Sequence, residues 1–469
     1  MMLSFATLAL LTLYIGLGIG GGLLFRQGGG WRIVGILLIA QAFLAFAAQV
    51  TLSMLPFGIG EPLIRVPLQE LVLQMLIIVS AISLITLLVI AGIRFSARLQ
   101  KPVQRRTAIT GLLILLPLIA SASMFGMVQA SLPERERERD PSKREIVLHP
   151  DFSWSIYAQG TMDNPTSITF GPEGELYIAD IDGNLWIARD DNNDYVVDSI
   201  TEWASGFNLL VGVAWFEDEL YTASSGKIEA LRDTDGDDVA DQRRLIVDEL
   251  PSLLLRPHSN NGIVFGPDNR LYFGVGSTTN GEFETQELAA TVLSVNPDGS
   301  DLRVFARGFG NTFDVAFNQD GELFGGDNSP MGGDGAELPD EFNHIVEGQH
   351  YGYPYFYGDQ PENGGTRAPL TSFPAHSAPT GLTFYSGDQY PPEYRDNAFV
   401  TLWNNGQIER VEVAQTAGGA YLSRTTTFGS GFLYPIDAVT GPDGNLYIAD
   451  FGTSAIYRIT HNDSPLGGG

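Results

Sequence analysis

HSNNGIVFGPDNRLYFGVGS, residues 258–277, reads as two short strands joined by a tight turn. Ile263, Val264 and Phe265 form one apolar run. Pro267 to Asn269 supply the turn, and Leu271, Tyr272 and Phe273 form the second run. Short apolar runs split by Pro, Asp and Asn signal a hairpin. A lone hairpin is marginal in water, so the reading depends on whether the chain supplies partners for it.

The chain repeats the pattern. A strand, a turn such as GPEG or GPDG, and a strand opening on an aromatic recur at 164–188 (NPTSITFGPEGELYIADIDGNLWIA), 209–232, 311–330, 379–411 and 435–459 (PIDAVTGPDGNLYIADFGTSAIYRI). The opening aromatics are Tyr177, Tyr221, Tyr272, Phe324, Phe399 and Tyr447, at intervals of 44, 51, 52, 75 and 48 residues. Units of this length, built of short strands and Gly/Pro turns, predict propeller blades that bury their faces against one another. Six copies predict an all-β, six-bladed β-propeller over 146–462, followed by a tail at 463–469. The strand within 146–159 is expected to close the ring with the last blade. The long interval between Phe324 and Phe399 is expected to hold inserted loops rather than a seventh blade.

Upstream the chain changes character. Four apolar runs, at about 3–25, 33–55, 68–93 and 107–130, each hold about 20 or more residues almost free of charge, enough to cross ~30 Å of hydrocarbon as helices. An all-α four-helix transmembrane region is therefore expected to precede the propeller. Arg26 and Arg32 lie between runs 1 and 2, and Arg94, Arg98, Lys101, Arg105 and Arg106 between runs 3 and 4. Positive loops stay in the cytoplasm, which places the N-terminus and the propeller both outside a multi-pass cell-membrane protein. The runs contain Gln41, Gln49 and Gln74 but no internal acid, lysine or histidine path, which fits an anchor better than a transporter. Residues 131–145, SLPERERERDPSKRE, read as a charged linker.

Composition narrows the chemistry. The absence of cysteine excludes disulfides, thiolate metal sites and cysteine nucleophiles. The formal net charge is −28, and residues 1–130 hold only Glu61 and Glu70 among the acids. The rest is an acidic surface that repels nucleic acid. His258, one of six histidines, stands just ahead of a first strand, as do Asn164, Asn311, Thr380 and Asp437. In a propeller these positions converge at one end of the axis. Two acidic loops share a register: Asp233, Asp235, Asp237 and Asp241 in DTDGDDVAD, and Asp190, Asn192, Asp194 and Asp198 in DDNNDYVVD. Oxygen ligands at alternate positions can wrap Ca²⁺, although neither loop has a glutamate at position 12.

Residues 146–460 resemble the glucose/sorbosone dehydrogenase family, the soluble-type quinoprotein sugar dehydrogenases. The motifs are H-x(3)-G-x-V-F-G-P-D at His258, G-N-x-x-D-x-A-F at 310–317 and DNSP at 327–330. DEFNHI…GQHYGYP at 340–354 and PTGLTFYSGDQYPPEYRDNAFV at 379–400 add to them. The resemblance implies a six-bladed propeller binding pyrroloquinoline quinone (PQQ) through Ca²⁺ and oxidising a sugar or related alcohol or aldehyde. The electron acceptor implied is membrane quinone or an external carrier. His258 matches the general base and Asn311 a quinone-bonding residue. Ser329 and Pro330 match carbonyls that hold the cofactor's calcium, and Glu341 and Tyr351 match a structural calcium site. Three features depart from the pattern. Gly310 stands where the family has arginine, the acid expected near Ser277 to orient the histidine is missing, and WNNG at 403–406 lacks the expected basic groups. Arg256 and Arg307 are the nearest substitutes for the missing arginine. Two other readings remain: a non-catalytic, calcium-stabilised propeller binding a carbohydrate or protein at the cell surface, and a lactonase-like hydrolase.

Overall fold

The computed structural model describes residues 139–252, 260–279, 281–330, 337–360 and 365–464. The four expected spans, residues 131–138 of the linker, Arg256, His258 and residues 465–469 lie outside the described residues. Among the described residues no helix is long and apolar enough to cross a membrane.

Two N-terminal strands, β1 (Val147–Leu148) and β2 (Phe152–Gln159), precede the blades. Blade 1 is β3 (Pro165–Phe170), β4 (Leu176–Asp180), β5 (Asn184–Arg189) and β6 (Ser199–Ser205). Blade 2 is β7 (Gly212–Phe216), β8 (Glu219–Ser224), β9 (Lys227–Arg232) and β10 (Gln242–Val247). Blade 3 is β11 (Asn260–Phe265), β12 (Leu271–Val275), β13 (Thr291–Val295) and β14 (Arg303–Arg307). Blade 4 is β15 (Thr312–Phe317), β16 (Leu323–Asp327), β17 (Asp340–Ile345) and β18 (Thr371–Phe373). Blade 5 is β19 (Pro379–Phe384), β20 (Ala398–Leu402), β21 (Gln407–Gln415) and β22 (Tyr421–Ser430). Blade 6 is β23 (Pro435–Thr440), β24 (Leu446–Asp450) and β25 (Ala455–His461), with β2 as its outer strand.

The architecture is the six-bladed propeller that the repeat predicts. The six repeated aromatics all fall in second strands and are all buried, because each fills the space between neighbouring sheets. Six apolar clusters follow the junctions. One joins Phe324 and Phe342 of blade 4 to Leu382, Phe384 and Val400 of blade 5. Another joins Ile168 and Ile178 of blade 1 to Ile436, Tyr447 and Ile456 of blade 6.

The ring closes as expected, since β2 pairs antiparallel with β25 from Phe152↔His461 to Gln159↔Ala455. The closure has a second part that the sequence does not announce. Strand β1 adds to the outer edge of blade 5, with Val147 opposite Ser430. The end of the charged linker is docked as well: Arg144 donates to the carbonyls of Gly431 (2.8 Å) and Phe432 (3.1 Å).

At the axis, the innermost strands carry Ser167, Gly212, Gly262, Asp314, Gly381 and Asp437 at equivalent positions. Each polar side chain reaches the next blade. Asp314 accepts from the Leu382 N–H (2.9 Å), Asp437 from the Ile168 N–H (2.7 Å), and Ser167 Oγ from the Val213 N–H (3.2 Å). The approach is too close for a side chain at Gly381, whose Cβ would stand 2.3 Å from the Asp437 Cα.

The inserted loops between Phe324 and Phe399 have a definite path. Residues 348–353 run up the outer edge of blade 3, where the N–H groups of Gly348, Tyr351 and Tyr353 donate to the carbonyls of Phe305, Arg307 and Gly308. The insertion therefore belongs to blade 4 in sequence but lies against blade 3.

Candidate active site at the propeller mouth

Because consecutive strands are antiparallel, loops joining second to third strands and loops joining blades share one end. This end is the mouth. Asn311, Ser329 and Pro330 all lie there, whereas the acidic loops 190–198 and 233–241 join third to fourth strands and lie at the other end.

Asp327 organises the mouth of blade 4. It is buried at the end of β16 and accepts from the N–H groups of Gly310 and Asn311 (2.9 Å each) and from Thr312 Oγ1 (3.0 Å). Burial first, then Glu341, pushes its pKa well above the usual carboxylate range, against those three donors. Asn328 donates to the carbonyls of Asn311 and Pro379 (3.0 Å each), and Asn261 donates to Asn311 Oδ1 (2.8 Å). Ser329 is fixed by its N–H to Asp340 (2.9 Å) and its Oγ to the Pro339 carbonyl (2.6 Å). Among the described residues, no donor reaches the carbonyl oxygens of Ser329 or Pro330.

At Gly310, where the resemblance implies an arginine, the backbone leaves no room for a side chain. Its Cβ would stand 2.3 Å from the Asn328 carbonyl oxygen and 3.5 Å from Pro330 Cδ. The turn that presents Ser329 and Pro330 occupies the space an arginine side chain would need. Arg307 does not replace it, because its half-exposed guanidinium faces the Glu287 carbonyl (3.2 Å).

An acid does meet Ser277 in space, where the sequence shows none, because the loop after β12 folds back on itself. Glu284 accepts from Ser277 Oγ (2.5 Å), Thr278 Oγ1 (2.6 Å) and the Thr279 N–H (3.0 Å). Burial pushes the Glu284 carboxyl up, but these donors outweigh it and hold the pKa below the usual range. The Tyr353 hydroxyl, delivered by the insertion, lies 2.5 Å from Ser277 Oγ and 2.7 Å from Thr279 Oγ1. A Cβ on Gly281 of this loop would stand 3.7 Å from Pro330 Cγ and 3.8 Å from the Tyr357 hydroxyl, which ties the loop to the Pro330 side of the mouth. The WNNG segment is a short turn whose Trp403 is buried and stacked on Tyr434.

The pair Glu341 and Tyr351 meets the same inserted loop. Glu341 accepts from the Gly358 N–H (2.6 Å), and the Tyr351 carbonyl accepts from Gln360 Nε2 (2.8 Å). Burial raises the Glu341 pKa to about 7. Asn343 donates to Glu341 (3.2 Å), yet Asn343 Oδ1 and Gln360 Oε1 are buried without a donor. The two donor-lacking side-chain oxygens are of the hard type that a cation such as Ca²⁺ prefers.

At the other end, ligand atoms of Asp233, Asp235 and Asp237 lie within 4.8 Å of one another. Asp241 instead accepts from Thr234 Oγ1 (2.5 Å). In the second loop, Asp190 and Asp194 accept backbone N–H groups and Asp198 binds Asn192; no carboxylate triad forms there among the described residues. A cavity of about 260 Å³ also opens at this end, between blades 3 and 4, and contains none of the expected site residues.

Residues 138–465 match the family described as a domain of unknown function, DUF7133. The chain belongs to the DUF7133 family. A relative in Borreliella burgdorferi, described as an uncharacterized protein, is 26% identical over 344 residues, 66% of this chain and 89% of its own. Among solved structures, this DUF7133 chain is similar to the holo PQQ domain of pyranose dehydrogenase from Coprinopsis cinerea. That match has TM-score 0.57 and 16% identity over 68% of this chain and 98% of that one. PQQ-bound aldose sugar dehydrogenase from Streptomyces coelicolor gives TM-score 0.53 and 18% identity over 67% and 99%. The apo soluble aldose sugar dehydrogenase of Escherichia coli gives 0.52 and 17% over 66% and 99%. At these identities the likeness is one of fold.

Proposed function

We propose that this protein is a quinoprotein dehydrogenase that oxidises a sugar, or a related alcohol or aldehyde, using PQQ and Ca²⁺. The observation that carries the reading is the pair of carbonyls of Ser329 and Pro330, which no donor among the described residues reaches, held beside Asn311 at the mouth. Main-chain oxygens without hydrogen-bond donors suit a hard cation. When bound, the quinone supplies a two-electron acceptor for hydride. The chain's part is to hold the cation through Ser329 and Pro330 and to hydrogen-bond the cofactor through Asn311. His258 takes the substrate's hydroxyl proton, a task suited to imidazole because it titrates near neutral pH. Glu284, fixed on Ser277, adds a carboxylate to the same mouth. Glu341 and Tyr351, with Asn343 and Gln360, hold a second calcium, and Asp233, Asp235 and Asp237 a third, distant from the chemistry. The loop Asp190, Asn192, Asp194 and Asp198 takes calcium more weakly.

The four N-terminal runs anchor the propeller outside the cell membrane, and electrons pass to membrane quinone or an external carrier. A second reading, a calcium-stabilised binding module, is favoured by Gly310, which leaves the quinone carboxylates without their family cation. Reconstitution decides between them. The full-length protein with added PQQ and Ca²⁺ is expected to retain quinone absorbance through gel filtration and to reduce a dye with sugars from a panel. Loss of the quinone on the column would leave the binding module.

A further inference from the structure

Two exposed rings stand beside this mouth. Phe283 is 67% exposed and Tyr355 58% exposed. They are the only exposed Phe, Tyr or Trp side chains among the described residues, and they touch: their centroids are 5.3 Å apart at 79°. The pairing is not local, since one ring comes from the blade 3 mouth loop and the other from the blade 4 insertion. Both are braced from behind. Phe283 adjoins Glu284, and Tyr355 follows two residues after Tyr353; Glu284 and Tyr353 both meet at Ser277 Oγ. Glu282, next to Phe283, is exposed and its carboxylate has no partner among the described residues.

Apolar rings left in water on a chain of net charge −28 mark a contact for something neutral. An aromatic face takes the C–H face of a sugar ring, and an adjacent carboxylate accepts from its hydroxyls. Fixing the two loops through Ser277 lowers the entropy lost on binding. We infer that Phe283 and Tyr355 form a stacking platform for a second sugar ring outside the mouth, so that the ligand is an oligosaccharide entering by one end. This rests on the sugar-directed reading of the mouth but not on its redox chemistry.

The test therefore measures binding without quinone. Cellotetraose, maltotetraose and glucose are titrated calorimetrically into the full-length protein and into Phe283→Ala/Tyr355→Ala. A tetrasaccharide is expected to bind the wild type more tightly than glucose, and the double variant to lose about tenfold for it with glucose unchanged, the scale of one aromatic contact. Phe283→Tyr/Tyr355→Phe retains the rings and is expected to retain affinity, which separates stacking from misfolding. Equal loss for glucose and tetrasaccharide, or no saccharide binding at all, overturns the platform. The dehydrogenase reading fails separately, by absent dye reduction in a protein that still binds the tetrasaccharide.

Discussion

Asp437 of β23 accepts a hydrogen bond from the Ile168 N–H of β3, 2.7 Å away across the junction that closes the ring. Its other oxygen accepts from the Ala438 N–H (2.8 Å). Burial dominates over these donors and over Ser167, and raises its pKa to about 6. Asp314, two blades away, is raised as well, by burial and then by Asp437. A raised folded-state pKa means the folded protein holds the proton more tightly. The resulting stability is fully present below the unfolded value of about 4 and is lost as pH rises through the folded value. Urea unfolding is expected to show a loss on the order of 2 kcal/mol between pH 4.5 and 7.5 from this group. Asp437→Asn is expected to flatten that part of the slope, whatever it does to absolute stability. An unchanged slope in the variant removes the axis as its source.

Glu284 has the opposite sign. Its pKa is depressed, so its contribution is present above the unfolded value of about 4.3 and disappears as pH falls through the folded one. Glu284→Gln is expected to lower stability by about 1 kcal/mol at pH 7, a figure kept small because the group is partly exposed, and to match the wild type near pH 3. Thermal melts at both pH values check it. Equal destabilisation at pH 3 and pH 7 would point to lost packing.

The sequence shows the blades more plainly than the site, and the reason is physical. Tyr177, Tyr221, Tyr272, Phe324, Phe399 and Tyr447 recur because every sheet junction needs a large ring at the same height. The place of Asn311, Ser329 and Pro330 at one end of the ring could be read because they sit in short contiguous motifs beside strands. Glu284 and Tyr353 could not: they reach Ser277 from 7 and 76 residues away, through loops held by side-chain hydrogen bonds rather than by any period. Asp327 carried a signal that went unused. Its place at the end of a second strand is shared by Asp180 and Asp450 in the two LYIAD copies; Asp327 and Asp450 hold loop N–H groups at the mouth, and Asp180 holds Asn184 and Trp186 of the neighbouring strand β5.

The acidic loop of blade 2 is expected to respond to calcium. Asp235 is pushed up by repulsion from Asp237 first, with burial, Asp241 and Asp233 adding to it, and a bound cation would relieve that repulsion. Calcium at about 100 times its dissociation constant should add about 2–3 kcal/mol to stability. Differential scanning calorimetry is expected to show the melting temperature rise with CaCl₂ and a smaller part of that rise in Asp235→Asn. A full response in the variant assigns the effect to another site, such as Glu341.

Gly310 makes a steric demand on the mouth of blade 4. A methyl group there meets the Asn328 carbonyl at 2.3 Å, and that oxygen belongs to the turn presenting Ser329 and Pro330. Relief requires moving this turn, which Asp327 and Asp340 hold through the N–H groups of Gly310, Asn311 and Ser329. Gly310→Ala is therefore expected to cost about 2–3 kcal/mol in denaturant unfolding, the scale of an overpacked buried site. Gly310→Arg, which adds the cation expected from the resemblance to the quinoprotein sugar dehydrogenases, is expected to cost at least as much. It should also weaken calcium-dependent retention of PQQ, because displacing the carbonyl pair outweighs the added charge. Tighter quinone retention by the arginine variant, with stability unchanged, would show that the turn yields and that the mouth lacks only its guanidinium.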